Sequence, residues 1–67
     1  MKLESIDKKE AIIRFSLDEM IIVNNAFNEV CNGLDIHEFS LRVGAEREEV
    51  AELLSAIGAI IDKINNK

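Results

Sequence analysis

Hydrophobic and polar residues alternate in the N-terminal part of the chain. Over residues 11–16, Ala11, Ile13 and Phe15 fall on one side of an extended backbone, and the residues between them fall on the other. A period of two with β-branched and aromatic side chains predicts a half-buried strand. Residues 2–6 alternate more weakly, so the pattern leaves open whether they form a second strand that pairs as a hairpin.

The spacing of the apolar residues becomes helical after Ser16. Ser16 and Glu19 have the spacing of a capping box, which predicts a helix that begins just after Ser16. Gly33 stands where a left-handed residue would end this helix. Ile22 falls among polar residues in the helical projection, and Ile12 falls on the polar side of the strand, so both are expected to be exposed.

Two further helices follow. Asp35 is expected to cap a short helix over residues 36–42, and Gly44 is expected to end it. In the last helix the apolar positions from Val50 to Ile64 fall within an arc of about 120° at 100° per residue, which is typical of an amphipathic helix.

These elements predict a mainly α fold, or a small α+β fold. An N-terminal strand or β-hairpin is followed by three helices around a single core. A chain of 67 residues has room for one domain, so residues 1–67 are expected to form a single domain. The residues expected to be mostly buried are Phe15, Met20, Val23, Phe27, Val30, Leu34, Phe39, Val50, Leu53, Leu54, Ile57, Ile60 and Ile61.

Composition favours an intracellular setting. The single cysteine cannot form an internal disulfide, which is typical of proteins from a reducing compartment. The longest apolar runs cover only residues 20–23 and 59–61, and the first residues lack the apolar stretch of a signal peptide. We therefore expect a soluble cytoplasmic protein without a membrane partner.

The charge is concentrated in the middle of the chain. The net charge is −5, but residues 17–52 alone hold nine carboxylates against two arginines, a net charge of −7. Such a surface repels nucleic acid and anionic membranes and attracts a basic protein partner. It is equally compatible with an ordinary solvated face that keeps a small protein soluble.

Candidate catalytic and metal-binding residues are few. His37 is the only histidine, Cys31 is the only cysteine, and no metal-binding or phosphate-binding motif is present. Cys31 falls on an apolar helix face, where a free thiol usually acts as a small hydrophobic residue. We therefore expect no enzyme activity, no metal and no cofactor.

Residues 36–54 have the spacing of a helix-turn-helix motif. Gly44 separates two helices that would cross through apolar residues, with Ser40 before it and Val50 after it. A small DNA-binding regulator is therefore the alternative function. The second helix would present four glutamates and one arginine, which is the wrong sign for contacts with phosphate.

Candidate partner-binding residues are of two kinds. Asn24 and Asn28 lie at the border of an apolar helix face, where their amides could bond a partner. The others are exposed carboxylates. The full set is Asn24, Asn28, Asp35, Glu38, Glu46, Glu48, Glu49 and Glu52.

The chain resembles a group of small bacterial proteins over roughly residues 16–54. The residues that carry this likeness are the run 24–33, Glu38, Phe39, Arg42, Gly44, the run 47–50, Leu53 and Leu54. This likeness is a signature of fold and names no activity.

In size, acidity and helical content the chain also looks like the compact immunity proteins of toxin–immunity pairs, such as those of contact-dependent growth inhibition. That resemblance implies a protein without catalysis that binds a nuclease-type toxin and covers its active site. A basic toxin domain would then be the partner, bound by the acidic helical surface.

Self-association is a separate expectation. Residues 1–16 carry a net charge of +1, and the strand within them leaves an unpaired edge. Any homodimer is therefore expected to form through the N-terminal strand and to leave the Glu46–Glu52 face free.

Overall fold

The computed structural model describes all 67 residues, and the chain begins with a β-hairpin. Strand β1 (Lys2–Ile6) pairs antiparallel with β2 (Ala11–Arg14), so residues 2–6 do form a strand. Leu3 lies opposite Ile13, which places two apolar side chains on one face of the hairpin. The register shifts between Leu3 and Ser5.

The turn of the hairpin is closed by a carboxylate. The Oδ1 atom of Asp7 accepts hydrogen bonds from the backbone N–H groups of Lys9 (2.7 Å) and Glu10 (2.9 Å). These two bonds hold the pKa of Asp7 below its ordinary value. An aspartate that bonds its own turn in this way stabilises the turn, which contains no Asn-Gly or Asp-Gly pair.

Helix α1 (Leu17–Asn28) begins as predicted. The Ser16 hydroxyl accepts from the Glu19 N–H at 3.1 Å, and Glu19 Oε1 accepts from the Ser16 N–H at 2.9 Å. The predicted capping box is therefore confirmed.

The end of this helix differs from the prediction. The chain continues from α1 into a π-helical turn over Glu29–Gly33, in which the Leu34 N–H donates to the Glu29 carbonyl at 2.8 Å. Gly33 is not left-handed, so its predicted role as the C-terminal cap is wrong. The chain leaves the π-helical turn at Leu34, whose backbone is extended.

The second helix is shorter than predicted. Helix α2 spans Phe39–Val43, so the prediction that Asp35 caps a helix over residues 36–42 is wrong. The physical reason is Glu38, whose left-handed backbone (φ 54°) interrupts the chain just before α2. Gly44 (φ 87°) ends α2 as predicted, and its N–H donates to the Ser40 carbonyl at 2.8 Å.

Helix α3 (Arg47–Asn65) is the longest element, and it packs along α1 and the π-helical turn. Gly58 lies in the middle of this contact. A Cβ atom built on Gly58 would meet only the Oδ1 atom of Asn24, at 3.9 Å. The two helices are therefore close at this point, but they leave room for a methyl group.

The core is much smaller than predicted. Only Met20, Phe39 and Val50 are buried. The predicted burial is wrong for Phe15, Leu34, Leu53 and Ile60, which are exposed. The remaining predicted core residues are half-buried: Val23, Phe27, Val30, Leu54, Ile57 and Ile61.

The shape of the molecule explains this shallow core. Its extents are 37 × 32 × 16 Å, so it is a flat slab. In a slab this thin most side chains lie close to solvent. Ile12 and Ile22 are exposed as expected.

The element order confirms a mainly α fold with a two-stranded N-terminal sheet and three helices. No helix in it combines the length and the apolar character that crossing a bilayer requires.

Candidate partner-binding surfaces

Six carboxylates form what we call the acidic surface: Asp35, Glu38, Glu46, Glu48, Glu49 and Glu52. All six side chains are exposed. Four of them lie at the cap and in the first two turns of α3, and the other two precede α2. Every residue of the set therefore has its charged group in contact with solvent.

Within the acidic surface, two residues also hold the start of α3. The Glu46 N–H donates to Glu49 Oε1 at 3.2 Å, which satisfies a backbone donor at the helix terminus. The side chains of Glu48 and Glu52 make no hydrogen bond within the chain, and the two residues are one helical turn apart. In the first two turns of α3 they are thus the two carboxylates without a partner in the chain.

Arg47 lies among these carboxylates in the sequence, but its side chain packs against the rest of the fold. Its guanidinium donates to the carbonyl of Cys31 at 2.9 Å and lies 4.3 Å from the centre of the Phe39 ring. A cation over a buried aromatic face is attracted by the ring electrons. Arg47 therefore joins α3 to α2 and to the π-helical turn, and its side chain is held inward.

This structural role of Arg47 is not among the predictions made from the sequence. An arginine eight residues after a phenylalanine, across a turn, was the available signal, and it is a weak one because the spacing depends on the turn geometry.

The two asparagines lie in different environments. Asn28 is exposed, and its Oδ1 atom accepts a hydrogen bond from the Asn32 side chain at 3.0 Å. Asn24 is half-buried between α1 and α3, with its Oδ1 atom buried and without a hydrogen-bond partner. Asn28 is therefore the accessible one of the pair.

His37 and Cys31 do not come together. His37 is exposed, and its Nε2 atom lies 3.7 Å from Glu38 Oε1. Cys31 is half-buried and unpaired. No group of three or more His, Cys, Asp or Glu side chains has an arrangement that could hold a metal ion.

One groove is present, and its lining is wholly apolar. It encloses about 220 Å³ between α1, α3 and the end of β2 and is lined by Phe15, Met20, Val23, Ile57 and Ile60. We call it the apolar groove. None of these side chains can donate or accept a proton, so the groove is suited to another apolar surface.

The start of α1 carries the largest shift in acidity. The N-terminal amine of Met1 and the Ser16 backbone N–H bond the Glu19 carboxylate and lower its pKa to about 2. An ion pair between Arg14 and Glu4 at 3.0 Å spans the two strands nearby. These contacts tie the hairpin to the first turn of α1.

No protein-family model matches the chain, and comparison with curated proteins and with solved structures finds no match either. The proposals below therefore rest on the residues and geometry described above.

Proposed function

We propose that this chain is an immunity protein, which neutralises a nuclease-type toxin by binding it through the acidic surface. The observation that carries this proposal is the uncompensated charge at the start of α3. Glu48 and Glu52 point into solvent, while Arg47 is held inward by Cys31 and Phe39. The surface therefore presents carboxylates without a neighbouring free cation on these turns of α3.

The chemistry of a nuclease fits such a surface. A nuclease binds a polyanion, so the groove that holds its substrate is basic. A protein that displays exposed carboxylates can occupy this groove, and charge complementarity makes the encounter fast and specific. The proposed partner is thus a basic toxin domain, and no reaction is assigned to the chain itself.

The first test is what lies beside the coding sequence, because an immunity protein is expected next to the gene of its toxin. A nuclease-type toxin domain found there is then coexpressed with the chain, and a gene without such a neighbour would count against the proposal. A Glu48→Lys/Glu52→Lys double variant should lose rescue from that toxin, because the basic groove would meet two lysines. Both positions lie outside the hydrogen bond between Glu46 and Glu49, so the start of α3 is kept.

A matched control is Glu10→Lys/Asp62→Lys, which changes the charge equally at exposed positions outside the acidic surface. It should rescue like the wild type. Unchanged rescue by the Glu48→Lys/Glu52→Lys variant would show that the acidic surface does not bind the toxin. Equal loss of rescue in both double variants would show that rescue depends on net charge and not on the acidic surface.

The alternative function, DNA binding by a helix-turn-helix, is not favoured by the same observation. Its recognition helix would be α3, whose only arginine is held inward by Phe39 and Cys31. Without free cations in the first turns, α3 lacks the phosphate contacts that supply affinity for DNA. Retardation of random-sequence DNA in a low-salt gel shift would reverse this preference.

A further inference from the structure

The chain exposes more surface than a compact monomer of its size. Its solvent-accessible area is 5584 Å². A folded monomer of 7.5 kDa exposes about 4,200 Å² by the usual scaling of area with mass. The excess is about 1,300 Å² per chain, and two copies that each covered this area would bury about 2,600 Å², which is typical of an obligate homodimer.

Part of the exposed apolar surface lies on one stripe of α3. Leu53, Ile57, Ile60 and Ile64 follow one another at intervals of four, three and four residues. This spacing is that of a seam between two packed helices. Leu53, Ile60 and Ile64 are 55%, 48% and 39% exposed, so the chain covers this seam only in part.

The seam is offset from the centre of the contact with α1. Val50 is buried and Leu54 and Ile61 are half-buried, whereas the mean direction of the seam lies about 70° further round α3, and Ile57 is the seam residue nearest to that contact. Ile57 and Ile60 also line the apolar groove, so the seam and the groove form one continuous surface. This continuity gives the side chains of a second helix a place to insert.

We propose that a second copy of this chain covers that surface, with the two α3 helices packed antiparallel along the seam. Charge determines the orientation. Glu49 and Lys63 flank the seam on the same side, seven residues before and seven after Ala56. An antiparallel pair centred at Ala56 places Glu49 of each chain near Lys63 of the other.

A parallel pair would be opposed by charge. The start of α3 carries Glu46, Glu48, Glu49 and Glu52, and a parallel arrangement would bring two such clusters together. In the antiparallel arrangement, the acidic start of one helix faces the end that carries Lys63. Glu48 and Glu52 lie away from the seam, so the dimer keeps both available to a basic partner.

This contact differs from the N-terminal strand expected from the sequence. The apolar face of the hairpin, with Leu3 and Ile13, is also exposed. Only α3, however, combines the seam spacing with the flanking charges.

The first experiment is sedimentation equilibrium of the full chain. The expected mass is twice 7.5 kDa. A wild type that stays at the monomer mass at about 200 µM, well above the dissociation constants of stable dimers, would overturn the proposal.

The second experiment locates the contact. Ile60→Lys should raise the dissociation constant of the dimer at least about 100-fold, since it places a lysine at the centre of the seam in each copy. The matched control is Leu41→Lys on α2, which changes the charge equally at a side chain that is 79% exposed. It should leave the dimer intact.

Ile13→Lys on the hairpin tests the other apolar face and should also leave the dimer intact. A folded Ile60→Lys variant that remains dimeric, or a dimer that is lost only with Ile13→Lys, would contradict the α3 contact.

The third experiment tests orientation and does not disturb the apolar seam. Lys63→Glu should raise the dissociation constant about tenfold, because two attractive pairs become repulsive. Lys67→Glu makes the same charge change beyond the end of α3 and should have a smaller effect. An equal effect of the two changes would contradict the antiparallel arrangement. None of these measurements involves the toxin, so they stand or fail independently of the proposed function.

Discussion

At the scale of single residues, Glu38 is the position where the backbone is most unusual. It is the only residue other than glycine with a left-handed backbone, at φ 54°. A side chain with a Cβ atom costs roughly 1–2 kcal/mol in this region. The same residue directly precedes α2 and adds a carboxylate to the acidic surface.

Glu38→Gly should therefore stabilise the fold by about 0.5–1 kcal/mol, since glycine removes the steric cost but adds entropy to the unfolded chain. Denaturant unfolding measures this change. Glu38→Ala is the matched control, because it removes the carboxylate but keeps the Cβ atom, and it should give no such gain. Equal gains in both variants would mean that the carboxylate, not the backbone, is the source of the cost.

Glu19 predicts how stability depends on pH. Its pKa is about 2 in the folded chain, below the ordinary value of 4.5, so the folded state favours the ionised form. The contribution to stability is therefore present above pH 4.5 and is lost as the pH falls toward 2. Thermal unfolding across that range should show a steeper loss for the wild type than for Glu19→Gln.

Glutamine at position 19 can still accept the Ser16 N–H, so the capping box is kept and only the titration is removed. Asp7 has a lowered pKa as well and contributes a loss of the same sign in both proteins. Parallel pH profiles for the two proteins would show that the Glu19 carboxylate does not contribute.

At the scale of elements, the contact between α1 and α3 leaves room for a methyl group at Gly58. Gly58→Ala should stabilise the protein by about 0.5–1 kcal/mol, because alanine is the better helix former. The new Cβ atom would meet only Asn24 Oδ1, at 3.9 Å. Gly44→Ala is the contrasting change and should destabilise by about 1 kcal/mol, since Gly44 has φ 87°. A loss of stability in Gly58→Ala would show that α1 and α3 lie too close together at Gly58 to accept a methyl group.

The joint between α2, α3 and the π-helical turn depends on Arg47. Arg47→Lys keeps the charge but loses the planar group that lies over Phe39 and bonds Cys31. We expect a loss of about 1–2 kcal/mol in chemical unfolding. Arg42→Lys, at an exposed position on α2, should change stability by less than about 0.5 kcal/mol. Similar small effects at both positions would contradict the structural role of Arg47.

At the scale of the whole molecule, the proposed dimer makes folding depend on concentration. If the two chains fold as one unit, a tenfold rise in protein concentration should raise the unfolding temperature by about 5 °C. Ile60→Lys should abolish this dependence. An unfolding temperature of the wild type that is constant over a hundredfold range of concentration would contradict the coupling of folding to association.

Features that depend on residues close together in the sequence were predicted correctly, and features that depend on distant contacts were not. Signals that act within one turn of chain were interpreted correctly: Ser16 with Glu19 begins α1, and Gly44 ends α2. Glu38 and Gly33 were misjudged, because the sequence carries no local signal for a left-handed glutamate or for a π-helical turn.

Burial was the larger error. The helical projection places Leu53 and Ile60 on an apolar face, but it does not say whether another element of the chain covers that face. Of the candidate site, the exposure of the six carboxylates followed from their positions in the pattern. The hydrogen bond from Arg47 to Cys31 and the burial of the Asn24 Oδ1 atom depend on tertiary contacts and could not be predicted.

The π-helical turn at Glu29–Gly33 has a consequence for insertions and deletions. Its closing bond runs from the Leu34 N–H back five residues to Glu29, one residue more than in an α-helix. Removal of one residue from the π-helical turn shortens this hydrogen bond to the four-residue span of an ordinary α-helix. The backbone hydrogen bonds of the helix then continue without interruption. The chain therefore holds one spare residue at this point, where a single-codon deletion extends α1 instead of breaking it.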